Sequence, residues 1–254
     1  MEHSGHMQHG AGASTSTSTY NVNLQLDPAR PVAREPVSLS LAVTEQAIGE
    51  PLAAFDLLHE KPLHLIAVSA DLAHFDHVHP ELRDGAFRIQ HAFPVAGGFK
   101  LWAECKPSGG DSVLAAFRVD VAPGTEAAAA PSSTSEPYRV TLDRPPHIIL
   151  HKPSLLAFRV ETQDGRAVED LEPLMGAGGH CVIISEDLRR FLHVHPERDV
   201  DAGWRGGPEV RFSTAFHEPG SYKAWGQFQH KGRTIVGAFD LQVGDAGHAH
   251  SGDA

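Results

Sequence analysis

One eighteen-residue segment occurs twice in this chain. Residues 64–81 read HLIAVSADLAHFDHVHPE and residues 180–197 read HCVIISEDLRRFLHVHPE, with ten of the eighteen positions identical. Self-similarity on this scale is the signature of a repeated structural unit. The sequence therefore predicts two copies of one domain.

The similarity extends beyond this segment in both directions. HAFPVAGGFKLW at 91–102 matches TAFHEPGSYKAW at 214–225, and YNVNLQL at 20–26 matches YRVTLDR at 138–144. Each copy then spans roughly a hundred residues, an ordinary domain size. We predict domains at 20–121 and 138–243, and the second carries a longer loop around 199–207.

The pattern inside each copy predicts β-strands. Polar and apolar residues alternate in YNVNLQL and in VSLSLAV at 37–43, while HLIAVS and HCVIIS are apolar runs typical of central strands. No amphipathic helix of ten residues is visible. About seven short strands per copy, separated by turns, indicate an all-β fold of two tandem immunoglobulin-like β-sandwiches.

Low-complexity segments flank and separate the two predicted domains. Residues 1–19 are rich in His, Ser and Thr, residues 122–137 in Ala, Pro and Ser, and residues 244–254 in Gly and His. Such compositions cannot bury a core. We expect the first and last segments to be disordered tails and the middle one to be a linker.

Composition narrows the function classes. The net charge is −11 with neutral histidine, and no basic stripe is present, so a nucleic-acid partner is not expected. No run of 18 apolar residues exists, so no transmembrane segment is expected. The first residues lack the apolar core of a signal peptide, which predicts a cytoplasmic protein if Met1 is the true start.

The two cysteines do not occupy equivalent positions of the repeat. Cys105 aligns with Phe228, and Cys181 aligns with Leu65. A disulfide framework would be expected to repeat with the domains, so we expect both to be small buried hydrophobes. An interdomain disulfide and a soft metal ligand remain alternatives.

Three histidines recur at a fixed spacing in each copy. On a strand, residues i and i+2 face the same side, and thirteen residues fit one strand, a short connection and its neighbour. The spacing therefore predicts two metal sites, with imidazoles that suit copper or zinc better than magnesium or calcium. The alternative is a hydrogen-bonded structural cluster with no metal. The six candidates are His64, His77 and His79, and His180, His193 and His195.

Further potential ligands lie near these clusters and in the tail. His59 and Glu60 precede the first cluster, and His59 aligns with Met175, so both His59 and Met175 are possible copper ligands. The start Met1-Glu2-His3, followed by His6 and His9, predicts a site for Cu²⁺ or Ni²⁺ built from the amine, two amides and an imidazole. The alternative is that these histidines are incidental in a solubilising segment. Histidines without an aligned partner are expected at the surface: His74, His91, His217 and His230.

The two segments LHEKPLHLIAVSADLAHFDHVHPE and PLMGAGGHCVIISEDLRRFLHVHPE, with GSYKAWGQFQH, resemble a group of bacterial two-repeat envelope proteins. These are similar in part to YtkA-like and cupredoxin-like β-sandwich proteins. The resemblance covers roughly residues 20–243. It implies copper or heavy-metal handling, a periplasmic or cell-envelope location, and an envelope or metal-handling protein partner.

No enzyme motif is complete. A cupin-type metalloenzyme needs a carboxylate three or four residues after His-x-His, whereas Glu81 follows His79 by two. No Ser-His-Asp or paired-carboxylate pattern indicates hydrolysis. We therefore expect a non-enzymatic metal-binding protein for buffering, delivery or tolerance of copper, or else zinc. The alternative is a tandem interaction module with structural histidines and no cofactor.

Overall fold

The computed structural model describes residues 19–124 and 137–244, and the regular secondary structure of these residues is entirely β-strand. The predicted all-β class of two tandem sandwiches is confirmed. No helix among the described residues is long and apolar enough to cross a membrane. Most of the predicted tails and linker lies outside the described residues, at 1–18, 125–136 and 245–254.

The strands belong to two compact units. The described residues of the first unit, 19–124, form nine strands: β1 (Tyr20–Asp27), β2 (Val37–Glu45), β3 (Phe55–Asp56), β4 (Leu63–Ser69), β5 (Phe75–Val78), β6 (Glu81–Arg83), β7 (Ala86–His91), β8 (Gly97–Pro107) and β9 (Val113–Val121). They form one sheet in the order β1-β2-β7-β6 and a second in the order β3-β8-β4-β5, with β9 also paired to β8.

The second unit repeats this arrangement, and its residues 137–244 that the structure describes form eight strands: β10 (Tyr138–Asp143), β11 (Ile148–Ile149), β12 (Pro153–Thr162), β13 (His180–Ser185), β14 (Phe191–Val194), β15 (Glu209–Ala215), β16 (Gly220–His230) and β17 (Arg233–Gly244). Its sheets have the orders β10-β12-β15 and β11-β17-β16-β13-β14. The sequence predicted about seven strands per copy. Very short strands such as β3, β6 and β11 carry too few residues for an alternation signal.

Each unit is a sandwich because its two sheets share one core. In β2 the alternation of VSLSLAV places Val37, Leu39, Leu41 and Val43 inside, and each is at most 1% exposed. They pack in one cluster with Leu63 and Leu65 of β4 and with Leu101 of β8. Alternate residues of a strand face opposite sides, so His64 lies on the face of β4 that points away from this core.

Candidate metal site

Antiparallel pairing of β4 with β5 brings the three histidines of the first unit together. Ile66 lies opposite His77 and Leu65 lies opposite Val78. Continuing this register by one residue places His79 opposite His64, where directly opposed side chains are closest. His77 is two residues before His79 and faces the same side.

A tight turn sets this register. The Ser69 hydroxyl donates to Asp71 and accepts a hydrogen bond from the His74 amide, while the Asp71 carboxylate accepts one from the Ala73 amide. These bonds replace backbone partners that the turn residues lack, as Ser and Asp side chains commonly do. The same Ser-x-Asp-Leu turn recurs at Ser185 and Asp187. It fixes where β5 starts and therefore where His77 lies.

The ring nitrogens of the three histidines form a small triangle. His64 Nδ1 lies 2.9 Å from His77 Nε2 and 3.1 Å from His79 Nε2, and the two Nε2 atoms are 3.2 Å apart. His64 is completely buried and the other two are half-buried. Among the described residues, this is the group of three side chains whose ligand atoms converge closely enough to hold a metal ion.

The three contacts within this triangle cannot all be hydrogen bonds at once. A ring nitrogen of imidazole either carries a proton and donates, or is bare and accepts. Three mutually contacting nitrogens cannot be assigned so that every contact joins a donor to an acceptor. At least one of the three contacts between His64, His77 and His79 therefore opposes two protons or two lone pairs. A cation between three bare nitrogens satisfies all of them.

The protonation of His64 is set by a backbone carbonyl. His64 Nε2 lies 2.7 Å from the Leu58 oxygen, which only accepts, so Nε2 donates and a neutral ring presents a bare Nδ1 to the triangle. Burial lowers the pKa of His64 below its ordinary value and outweighs the opposing effects of the Leu58 carbonyl and of Glu104. Metal-bound histidines typically have such a carbonyl behind them.

The triangle has the size that a first-row ion needs. Its three nitrogens lie on a circle of about 1.8 Å radius, a little smaller than a Zn–N bond of about 2.0–2.1 Å. His64, His77 and His79 could therefore all bind the same ion, and other ligands would fill its remaining positions.

The carbonyl that holds His64 belongs to a strained turn. Leu58 and Lys61 exchange two backbone hydrogen bonds across His59 and Glu60, which both have positive φ, 49° and 62°. Non-glycine residues seldom adopt this conformation, and such strain persists where the surroundings impose it. The turn places the His59 ring 5.7 Å from the His64 ring, centroid to centroid. His59 therefore borders the cluster, and Glu60 is exposed.

The second unit builds the same arrangement less tightly. His180 is completely buried, and its Nε2 donates to the Leu174 carbonyl at 2.9 Å. Its Nδ1 lies 3.4 Å from His193 Nε2. The ring centroids of His180, His193 and His195 are 5.4–6.0 Å apart, against 4.7–5.1 Å in the first unit. Met175, with φ of 48°, occupies the turn position of His59.

The other histidines and the cysteines considered in the sequence differ in how deeply they are buried. The expectation that His230 is a surface residue is wrong, because it is 5% exposed and its Nδ1 lies 2.7 Å from the Tyr138 hydroxyl. Cys105 and Cys181 are free and buried. Burial raises the pKa of Cys105 to about 12, which keeps this thiol protonated in the metal-free protein. His3, His6 and His9 lie outside the described residues.

The sequence matches one family twice, over residues 15–123 and 132–245, and that family is described as a domain of unknown function, DUF8832. The chain belongs to the DUF8832 family. The two matches correspond to the two copies of the repeat, each of which contains one histidine cluster. No curated protein is detectably similar to the chain in sequence.

Three solved structures that match the chain are distantly similar to it. A Salmonella alpha-2-macroglobulin reacted with methylamine is 13% identical with a TM-score of 0.32, over 93% of this chain and 15% of that one. A Ca²⁺-stabilised, ice-binding adhesin from an Antarctic bacterium is 13% identical with a TM-score of 0.27, over 89% and 48%. The Escherichia coli adhesin FdeC is 12% identical with a TM-score of 0.29, over 90% and 65%. The chain thus spans 15–65% of these proteins.

Proposed function

We propose that this DUF8832 protein is a non-enzymatic metal-binding protein that holds one copper ion, or alternatively zinc, at His64, His77 and His79. The observation that supports the proposal is the triangle of ring nitrogens 2.9–3.2 Å apart. A metal ion is the partner that satisfies all three nitrogens at once, as hydrogen bonds cannot.

The donor set favours copper. All three donors are imidazole nitrogens, and no carboxylate of the described residues completes the group. Imidazole suits copper and zinc, and at a given nitrogen site copper(II) binds more tightly than zinc in the Irving–Williams order. Zinc is the alternative because a pyramid of three histidines is also a common zinc geometry. The hard ions Mg²⁺ and Ca²⁺ require oxygen ligands and do not fit.

The role that follows is buffering, delivery or tolerance of the ion. The hydrogen bond from His64 Nε2 to the Leu58 carbonyl fixes the orientation of the His64 ring. The ring therefore needs to move little when the ion binds. The half-buried His77 and His79 leave the ion a route in and out. As part of the proposal, we assign this role to the cell envelope, with a metal-handling partner. The resemblance of the sequence to bacterial envelope proteins supports this assignment.

Replacing two of the three ligands tests the proposal. The variant His77→Asn/His79→Asn keeps hydrogen-bonding capacity but offers poor metal ligands. After loading the full-length chain with Cu²⁺ or Zn²⁺ and removing loosely bound ions, the variant should contain one equivalent less metal by elemental analysis. It should also lose the metal-dependent stabilisation, about 2.7 kcal/mol when free metal is a hundredfold above its Kd.

The competing hypothesis, a tandem interaction module with structural histidines, predicts the opposite result. In that case the metal content stays unchanged, and the metal-free variant loses about 1–3 kcal/mol because buried partners become unsatisfied. The matched control is His147→Asn, because His147 is an exposed histidine outside both clusters. It should change neither the metal content nor the stability, which shows that losing an arbitrary histidine is not enough.

A further inference from the structure

Two exposed histidines of the second unit face each other at a point outside the clusters. His151 precedes β12 and His217 follows β15, and their Nδ1 atoms lie 3.2 Å apart. Pro153 pairs with Ala215 at the end of the β12–β15 ladder, so the segments that carry His151 and His217 leave this ladder side by side. The His151 amide donates to the Phe216 carbonyl at 2.8 Å, which holds the two backbones together.

The repeat shows that the fold itself brings these positions together. In the first unit the corresponding residues are Arg34 and Pro94, and Arg34 Nε donates to the Pro94 carbonyl at 3.2 Å. Arg34 and His151 share a positive φ, 67° and 59°, and the Arg34 amide donates to the Phe93 carbonyl as His151 does to that of Phe216. The backbone is therefore common to both units, and only the second unit has imidazoles at both positions.

The geometry points to a second metal site, open to solvent, at which His151 and His217 bind a divalent transition-metal ion through their Nδ1 atoms. If an ion were bonded to both nitrogens at about 2.0–2.1 Å, the N–metal–N angle would be about 100°, because the nitrogens are 3.2 Å apart. That angle lies between those of a square plane and a tetrahedron, so Cu²⁺, Ni²⁺ and Zn²⁺ all fit.

This site differs chemically from the buried triangle. Both histidines are exposed, so water fills the remaining coordination positions. Two protein ligands hold an ion more weakly than three, and an ion with water ligands exchanges readily with other donors. The sequence predicts that His217 is a plain surface residue, because its aligned residue is Pro94. Its proximity to His151 was not predictable, because the two residues are 66 positions apart and only the pairing of β12 with β15 brings them together.

Nitrogen-15 NMR of the histidine rings tests the site directly, with Zn²⁺ as the diamagnetic probe. The full-length chain carries His77→Asn and His79→Asn, so that binding at the triangle does not interfere. Titration should shift Nδ1 of His151 and Nδ1 of His217 together, saturate at one equivalent for this pair, and leave both rings protonated at Nε2. Separate behaviour of the two rings, or binding through Nε2, would overturn the proposal.

The first unit supplies the matched control. The double variant His151→Arg/His217→Pro replaces the two histidines with the residues found at the same positions of the first unit, Arg34 and Pro94. The backbone there is the same, so the substitutions should not disturb the fold. It should unfold at the same temperature in the presence of a chelator and lose this zinc equivalent. His147→Asn should retain it. If His151→Arg/His217→Pro binds as much zinc as its parent, the pair is not a site. This result is independent of whether the triangle binds metal.

Discussion

The imidazole of His64 donates from Nε2 to the carbonyl oxygen of Leu58 at 2.7 Å, six residues earlier in the chain. His180 and Leu174 make the equivalent bond at 2.9 Å in the second unit. A carbonyl cannot donate, so this bond decides which nitrogen of each buried ring carries the proton. Both units are therefore built with a bare Nδ1 facing the repeated His-x-His pair.

The first prediction concerns this tautomer. In metal-free protein at neutral pH, His64 should be neutral with the proton on Nε2, and Nε2 of His180 should also carry a proton. Long-range nitrogen-15 NMR of the rings distinguishes the two tautomers. A proton on Nδ1 of His64 would contradict the bond to Leu58 and remove the basis for a preformed site. His147, which is exposed, provides the reference spectrum of a histidine in water.

The sequence predicted the convergence of these histidines for a physical reason. Strand periodicity and antiparallel pairing convert the spacings of two and thirteen residues into one shared face. The Leu58 carbonyl was not predictable, because any residue type supplies a carbonyl and no side chain marks it. The positive φ values of His59 and Glu60 were also hidden, since this turn normally favours Gly, Asn or Asp.

The second prediction concerns the turn that fixes the register of β5. The hydrogen bond from Ser69 lowers the pKa of Asp71 below its ordinary value, with a further contribution from the Ala73 amide. Ser69→Ala should raise this pKa, which carbon-13 NMR of the carboxyl group measures. A lowered pKa stabilises the fold above about pH 4 and ceases to do so as the pH falls through the folded-state value.

The difference in unfolding free energy between wild type and Ser69→Ala should therefore shrink in acid. A constant part should remain, because the His74 amide also loses its acceptor. Ser185→Ala is the matched variant in the second unit, where Ser185 lowers the pKa of Asp187 in the same way. An Asp71 pKa unaffected by Ser69→Ala would show that the hydroxyl is not its main stabilising partner.

The third prediction concerns the cysteines. Burial raises the pKa of Cys105 to about 12 and raises that of Cys181 as well. Alkylation requires a thiolate. Iodoacetamide at pH 8 should therefore leave both residues unmodified in the folded protein and label both after denaturation, as mass spectrometry would show. Labelling of folded protein at the rate of a free thiol would mean that these strands open readily.

The fourth prediction concerns how the two cores differ. Ala103 in the first unit aligns with Gly226 in the second, and Leu41 aligns with Phe158. A Cβ on Gly226 would lie 2.6 Å from the Phe158 ring, so the larger Phe is accommodated by the smaller Gly. Gly226→Ala should destabilise the protein by about 1–3 kcal/mol in chemical denaturation, the usual effect of overpacking.

Gly98→Ala is the control for this effect. Gly98 also lies in a strand, but its added Cβ would meet Ala70 at 3.7 Å, an ordinary contact. This substitution should be neutral or stabilise the fold by about 0.5–1 kcal/mol, because alanine loses less backbone freedom on folding. Equal effects of Gly98→Ala and Gly226→Ala would show that the close approach of Phe158 does not determine the residue at 226.

The final prediction concerns the relative affinity of the two clusters. Their histidine spacings are identical, and the sequence favours the first only because His59 and Glu60 precede it where Met175 and Gly176 precede the second. The rings of His180, His193 and His195 are further apart than those of the first unit, and Met175 replaces His59 beside them. These rings must move closer together to bind one ion, whereas the rings of the first cluster are already close. Because preorganised ligands bind more tightly, the first cluster should have the higher affinity. Copper binding is measured in a competition titration with a copper chelator. The His77→Asn/His79→Asn variant should lose the more tightly bound copper ion. The His193→Asn/His195→Asn variant should lose a more weakly bound copper ion or none. Loss of the tighter equivalent from the second variant would reverse this ranking and make the spacing of the rings irrelevant to affinity.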